Sequence, residues 1–185
     1  MSSPSVSTVF IRTAMRKFRR DRRASSAVEF AIIAPIFLAL LFGIIETALV
    51  FFAGQVLETG TSDSGRQIFT GSSGCTEAQF RVDFCPRVSA LFNCANIDLD
   101  AKAYPAGTTI TITDPLVGGA YVNTASWQTP AANNTVVIRA FYQWPLIVTG
   151  LGYNIANIGR GTSNSKRLLA ATAAFHIEPG APACP

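Results

Sequence analysis

The stretch that decides the fold of this chain is AVEFAIIAPIFLALLFGIIETALVFFA, residues 27–53, which is apolar almost throughout. A helix of about 20 apolar residues spans the hydrocarbon core of a bilayer. At about 1.5 Å per residue, this stretch reaches roughly 40 Å. It therefore predicts a transmembrane helix that crosses the membrane with some tilt. Pro35 predicts a kink in the helix, because it has no N–H to donate to the carbonyl of Ala31.

The charge of the chain divides at the start of this helix. Residues 1–24 contain seven of the fifteen Lys and Arg residues and one of the eleven acidic residues, so they form a basic leader with a charge of +6. The remainder holds eight basic and ten acidic residues, a charge of −2. Lys and Arg stay on the cytoplasmic side of a membrane, so we expect the N-terminus inside and the chain beyond about residue 54 outside. A body without a basic stripe excludes nucleic-acid binding.

The amino-acid composition divides the chain into three segments. The leader is residues 1–24, and the transmembrane helix with a polar extension is residues 25–74. Gly60 and Gly65 predict a frayed extension, and the glycines and serines of residues 71–74 predict its end. The rest, residues 75–185, is long enough to bury its own core.

The third segment shows one helical pattern and four strand patterns. Apolar residues recur at helical spacing in residues 76–92, where Pro86 predicts a break or a fresh start. Alternating or β-branched runs predict strands at residues 97–104, 108–113, 135–144 and 167–177. The predicted fold class is therefore α+β: a long N-terminal transmembrane helix, then a small extracytoplasmic domain with a mostly antiparallel sheet packed on a helix.

The cysteines indicate disulfides rather than a metal site. All four follow the predicted membrane span, where disulfides form and persist: Cys75, Cys85, Cys94 and Cys184. Zinc sites usually show CxxC pairs or nearby histidines, and this chain has neither, since its single histidine is His176. Four cysteines allow three pairings, and their spacing leaves all three open. We expect no metal, no cofactor and no catalytic centre, because no nucleophile or phosphate-binding motif is present.

Two glutamates lie inside the apolar stretch, where a carboxylate costs free energy unless it has a partner or a task. Glu29 is at the entrance, and Glu46 lies 17 residues later, about 25 Å further along the helix. At about 100° per residue they point to different faces, so one partner helix cannot easily satisfy both. Three interpretations of Glu46 stay open: it is protonated, it faces another helix, or its side chain reaches the outer headgroups.

A family resemblance is carried by residues 24–37, which read ASSAVEFAIIAPIF. They resemble the N-termini of TadE-like proteins, the pseudopilins or minor pilins of Tad (Flp-type) type IV pilus systems. The resemblance continues through residues 38–46 and, more weakly, to Arg66. Cys85, Cys94 and the strand after them also look like that family.

The resemblance implies a processing site and an assembly site. A prepilin peptidase would cut between Ala24 and Ser25, which makes Glu29 the fifth mature residue; the family commonly has Gly where this chain has Ala24. Glu29, Phe30 and Glu46 would then serve helix pairing and assembly. Physically, Glu29 can neutralise the new α-ammonium of a neighbouring subunit in an apolar bundle. The alternative is that Glu29 is solvated among the lipid headgroups.

The family resemblance also favours one disulfide pairing, Cys85–Cys94, with Cys75–Cys184 as the second bridge. A regular helix would hold Cys85 and Cys94 about 13 Å apart, so a direct bond requires the chain to bend between them.

The implied function is that of a minor pilin in a bacterial inner membrane, single-pass, with its C-terminal domain in the periplasm or in the pilus. It would take part in assembling a pilus for surface attachment and would not be an enzyme. Implied partners are prepilin peptidase, other minor pilins, inner-membrane platform proteins, the major pilin and membrane lipid. The alternative is a membrane-anchored periplasmic binding or sensing domain. The two intramembrane glutamates favour the pilin, because a simple anchor has no need of them.

Overall fold

The computed structural model describes residues 22–69, 76–129, 131–149 and 153–177. The chain forms two compact units, Met1–Ile44 and Ile45–Pro185, called here the N-terminal unit and the C-terminal unit. The described elements are α1 (Arg22–Phe69), α2 (Glu77–Val88), β1 (Ile97–Pro105), β2 (Leu116–Val117), β3 (Ala120–Tyr121), β4 (Asn134–Pro145) and β5 (Lys166–His176), with a 3₁₀ turn at Cys94–Asn96. The predicted α+β class is confirmed.

Helix α1 is the one helix among the described residues that is long and apolar enough to cross a membrane, judged by its length and composition. Within the N-terminal unit its large apolar side chains are exposed. Pro35 lies inside the helix and does not end it. The expected long apolar helix at the start of the fold is therefore present.

The polar extension of α1 is not frayed at its glycines, which corrects the prediction. The helix continues through both of them to Phe69. A Cβ on Gly60 would lie 2.7 Å from Cγ1 of Val88, and a Cβ on Gly65 would lie 2.6 Å from Cζ of Phe175. The two glycines therefore permit close packing, which outweighs their low helix propensity. The predicted helix end at residues 71–74 lies outside the described residues.

Helix α2 begins with a capping box, in which the Thr76 side chain accepts from the backbone N–H of Gln79 and the Gln79 side chain accepts from that of Thr76. The break predicted at Pro86 does not occur there, since the helix continues to Val88. One buried face, made by Phe80, Phe84 and Val88, explains why tertiary packing overrides the proline. That face packs on α1 at Gly60.

The main sheet is antiparallel, with strand order β1-β4-β5. In the central strand β4, residues 136–141 are all buried, so the core lies around the middle of the sheet. Ile138 pairs with Ala101 of β1 on one side and with Ala173 of β5 on the other. The predictions for 97–104, 135–144 and 167–177 are confirmed to within one or two residues.

The strand predicted at residues 108–113 is wrong. This segment is irregular, and its isoleucines, Ile110 and Ile112, are exposed. The free edge of β1 is instead covered by residues near Trp127: Ala101 N donates to Ser126 O at 2.9 Å, and Gln128 N donates to Ala101 O at 2.8 Å. Alternation of Thr and Ile therefore did not identify the segment that pairs with β1, because pairing depends on which segment of the fold reaches the edge of that strand.

A buried ion pair holds the segment that connects β1 and β4 against the sheet. Arg139 of β4 donates to Asp100 of β1 at 2.6 Å, and both side chains are almost fully buried. Arg139 also donates to the carbonyl of Thr113 at 2.8 Å, while Asp100 accepts from the backbone N–H of Ser126 at 3.0 Å. Each buried charge therefore has a partner, as burial demands.

Candidate functional site

Four of the five residues predicted for processing and assembly lie at the start of α1, and the fifth, Glu46, lies near its middle. Ala24 and Ser25 are in its first turn. Glu29 is exposed, and Phe30 is 73% exposed. An exposed carboxylate beside an exposed aromatic ring presents a surface that another chain can contact. The structure holds one chain, so the pairing of Glu29 and Phe30 with a neighbour stays a prediction.

Glu46 is the buried acidic residue of α1, only 7% exposed. Its Oε1 accepts hydrogen bonds from the backbone N–H groups of Ile147 and Val148, the second at 3.1 Å. Val148 N also lies 3.3 Å from Oε2. These donors follow the end of β4 at Pro145. The carboxylate therefore binds the backbone of a loop that is 101 residues away in sequence.

Two further hydrogen bonds join α1 to the same side of the C-terminal unit. The hydroxyls of Thr47 and Tyr153 lie 3.1 Å apart. Further along α1, Glu58 Oε2 accepts from the backbone N–H of Thr172 in β5 at 3.3 Å. Because β5 is an edge strand, Glu58 satisfies a donor that would otherwise face water or another strand.

Glu46 is the first member of a buried stripe in the part of α1 that belongs to the C-terminal unit. The stripe follows the i, i+3, i+4 spacing of one helix face and comprises Glu46, Val50, Ala53, Leu57, Thr61, Ser64 and Ile68. Small residues in its second half let α1 approach the rest of the core closely. Leu57 and Ile68 are apolar and stand out in the sequence, whereas Glu46, Thr61 and Ser64 do not look like members of a core face. The available signal was that Glu46 lies on the same helix face as Ala53 and Leu57, at spacings of i+7 and i+11.

A groove of about 670 Å³ lies between α1 and the edge of β5. Helix residues contribute one wall, and residues of β5 and of the loop before it contribute the other. Glu58, whose carboxylate accepts from Thr172 of β5, is one of the residues that line the groove. Its lining mixes apolar and polar residues: Thr47, Val50, Phe51, Gly54, Gln55, Glu58, Tyr153, Ile155, Arg167, Leu168, Leu169 and Ala170.

The disulfide Cys85–Cys94 is present, with the two Cα atoms 5.6 Å apart. The chain bends between them because α2 ends at Val88 and a turn follows, in which Phe92 N donates to Val88 O at 3.0 Å. The Asn93 side chain then caps the 3₁₀ turn that begins at Cys94. Cys75 and Cys184 lie outside the described residues, so the second bridge stays a prediction.

The polar cluster beside β1 is satisfied from within the chain. The Tyr121 hydroxyl donates to Asp98 at 2.9 Å, and the Asn123 side chain donates to the same carboxylate at 2.8 Å. Burial raises the pKa of the Tyr121 hydroxyl well above its usual range, and the hydrogen bond to Asp98 acts in the same direction. Within the described residues, no three His, Cys, Asp or Glu side chains are placed to hold a metal ion. His176 lies on β5, as the sequence predicted, with Nδ1 3.4 Å from the Thr135 hydroxyl.

Comparison with known families supports the sequence resemblance. The family model described as TadE-like protein matches residues 24–66. The match confirms the TadE-like resemblance of this segment, which is less than a quarter of the 185-residue chain. No curated protein and no solved structure matches the chain.

The matched segment covers more than a membrane anchor. It begins at Ala24, includes Glu29, and ends at Arg66, so it contains nearly all of α1. Both glutamates and both closely packed glycines of α1 fall inside it. The TadE-like segment therefore carries the exposed apolar surface of the N-terminal unit and, apart from Ile68, the buried stripe of the C-terminal unit.

Proposed function

We propose that this protein is a TadE-like minor pilin that takes part in assembling a Tad-type pilus for surface attachment. The observation that carries the proposal is the division of α1, the TadE-like segment, into an exposed apolar part with Glu29 and a part that is built into the C-terminal unit. The first part suits membrane residence and packing against other pilus helices. The second forms part of the core of the C-terminal unit.

The proposed topology is a single pass through the bacterial inner membrane, with the N-terminus cytoplasmic and the C-terminal unit in the periplasm or the pilus. The basic leader supports this orientation. Prepilin peptidase would cut between Ala24 and Ser25, so this chain is a substrate and is assigned no catalysis. Other minor pilins and the inner-membrane platform proteins are the proposed partners.

The roles of the two glutamates differ in this proposal. Glu29 is exposed and pairs with the new N-terminal ammonium of a neighbouring subunit. Glu46 already has two backbone donors within its own chain, which supports a role in holding the C-terminal unit on α1. Assembly contacts are therefore assigned to Glu29 and Phe30.

The test of this function is the variant Glu29→Gln, which keeps the shape of the side chain and removes its charge. We expect processing and membrane insertion to continue while pilus assembly falls, because the paired charge is lost. Pili are counted by electron microscopy, and processing is followed by the mass of the membrane-extracted protein.

Glu77→Gln is the matched control, since Glu77 is a partly exposed residue of α2 whose ion pair with Arg81 contributes little. It should leave pili unchanged. Normal pili with Glu29→Gln would contradict the pairing role and favour the rival function, a domain that uses α1 only as an anchor.

A further inference from the structure

One end of the C-terminal unit exposes apolar side chains next to residues 46–47 of α1, which belong to the same unit. Ile147, just after β4, is 89% exposed. It is held close to α1, because its own backbone N–H and that of Val148 donate to Glu46. Tyr153, from the same loop region, contacts Thr47 through its hydroxyl. The tip formed by residues 146–148 and Tyr153 is therefore fixed at the level of residues 46–47 of the helix.

That level falls within the membrane span. The hydrocarbon core needs about 20 helical residues. Every window of that length within residues 27–53 contains Glu46, at its outer end or deeper. Glu46 also lies seven residues before the end of the apolar stretch, about 10 Å along the helix. A loop whose backbone is bonded to Glu46 therefore lies at the depth of the outer leaflet.

The chemistry of the contact suits that depth. Backbone N–H groups near hydrocarbon must be satisfied by the protein, since water is scarce there. A carboxylate at the same depth needs donors of its own. Glu46 and the amides of Ile147 and Val148 meet both needs together. Residues 144–149 read WPLIVT and contain no charge, and tyrosines such as Tyr153 are favoured where lipid meets water.

We propose that the tip, residues 146–148 with Tyr153, rests in the outer leaflet against the acyl chains and glycerol region of phospholipids while the protein is membrane-resident. This inference rests on the membrane anchoring proposed above. Lipid fits better than a protein partner, because stable protein interfaces bury about 800 Å² on each side and the tip offers only a few side chains.

The opposite end of the sheet points away from this contact. β4 runs from Asn134 to Pro145, a rise of roughly 35 Å at about 3.3 Å per residue. Ile112 is exposed and lies near the N-terminal end of β4. Its neighbour Thr111 accepts a hydrogen bond from the hydroxyl of Tyr104, and Tyr104 pairs with Thr135 at the start of β4. Ile112 is a matched apolar residue that should lie outside the membrane.

The test places photoreactive benzoylphenylalanine at one position at a time in the full chain, reconstituted in phosphatidylcholine–phosphatidylglycerol liposomes. The positions are Ile147, Ile112 as the negative control, and Phe37, an exposed residue of the apolar stretch, as the positive control. After irradiation, mass spectrometry identifies lipid or protein adducts on each labelled peptide. We expect lipid adducts when the label is at position 147 or 37, and none when it is at position 112.

Lipid adducts at 37 but not at 147 would overturn the inference while leaving the anchoring intact. Adducts at 147 with a second protein chain in place of lipid would overturn it in favour of a protein contact, and lipid adducts of equal yield at 112 would show that 147 is not selectively placed. Absence of lipid adducts at 37 would contradict the anchoring itself, and the inference with it.

Discussion

At the residue scale, the contacts of Glu46 show how an acidic side chain is accommodated in the apolar stretch of α1. Its carboxylate is buried and accepts from two backbone N–H groups that lie after the end of β4. Hydrogen bonds to a charged acceptor are stronger than neutral ones and offset part of the cost of burying the charge. The residue thus holds the loop after β4 against α1.

We predict that Glu46→Ala destabilises the C-terminal unit by about 1–3 kcal/mol, because it removes the acceptor of the partly buried amides of Ile147 and Val148. The same two amides should exchange hydrogen faster. Hydrogen exchange with mass spectrometry, in detergent or liposomes, measures both effects.

Glu58→Ala is the control for this experiment. Glu58 is exposed and accepts one hydrogen bond, from Thr172, so its loss should affect that amide alone and cost less. Unchanged exchange at Ile147 and Val148 in the Glu46→Ala protein would show that the carboxylate does not hold the loop.

The sequence identified Glu46 as anomalous but not its partners. Its donors are main-chain groups about a hundred residues away, and every residue except proline carries such a donor. The side chains of Ile147 and Val148 give no indication that their backbone amides donate to Glu46. Only the path of β4 across the sheet brings them to α1.

At the element scale, α1 is one helix with two different surfaces. Residues 28–44 expose large apolar side chains, whereas the stripe from Glu46 to Ile68 is buried. The apolar part was predictable because a long apolar run is visible in the sequence without knowledge of its tertiary contacts. The polar and small members of the buried part were not, since Thr61 and Ser64 belong to the core only through the close approach that neighbouring glycines permit.

We predict that Gly60→Ala introduces an overpacking cost of about 1–3 kcal/mol, because the added methyl group would overlap the fully buried side chain of Val88 and press on Phe84. After the gain in helix propensity of about 1 kcal/mol is subtracted, we expect the C-terminal unit to be destabilised by up to about 2 kcal/mol. Thermal unfolding, followed by circular dichroism in detergent, measures the change.

Gly54→Ala is the matched control, on the same helix, where an added Cβ meets nothing within 4 Å. It should stabilise the protein by up to about 1 kcal/mol. If Gly60→Ala also stabilises the protein, the close approach of α1 and α2 is contradicted.

The strands show the same limit on prediction. β1, β4 and β5 could be predicted from alternation and β-branched content, because each lies in a half-buried or buried sheet. Residues 108–113 carry the same alternation without pairing, and their isoleucines face solvent. The segment that does pair with β1, near Trp127, has no strand pattern and is held there by Asp100, which accepts from Ser126 N.

At the scale of the whole molecule, α1 belongs to both units. The unit boundary falls between Ile44 and Ile45, inside the helix. The C-terminal unit therefore includes the last turns of the apolar stretch and uses them as part of its core. A fragment that begins after α1 would lack the buried stripe and expose the residues of α2 that pack on it.

The account as a whole depends on α1 being the mature N-terminus of a pilin rather than the anchor of a domain that keeps its leader. The two alternatives differ by the 24 residues before Ser25, which a mass or a sequence resolves at once. An anchor keeps them, while a processed pilin loses them and gains an α-ammonium four residues before Glu29.

The most direct measurement is N-terminal sequencing of the membrane-extracted protein after co-expression with its prepilin peptidase. We predict Ser25 as the first residue and Glu29 as the fifth, with a peptidase-inactive strain retaining Met1 as the control. An intact Met1 in the presence of active peptidase would contradict the account.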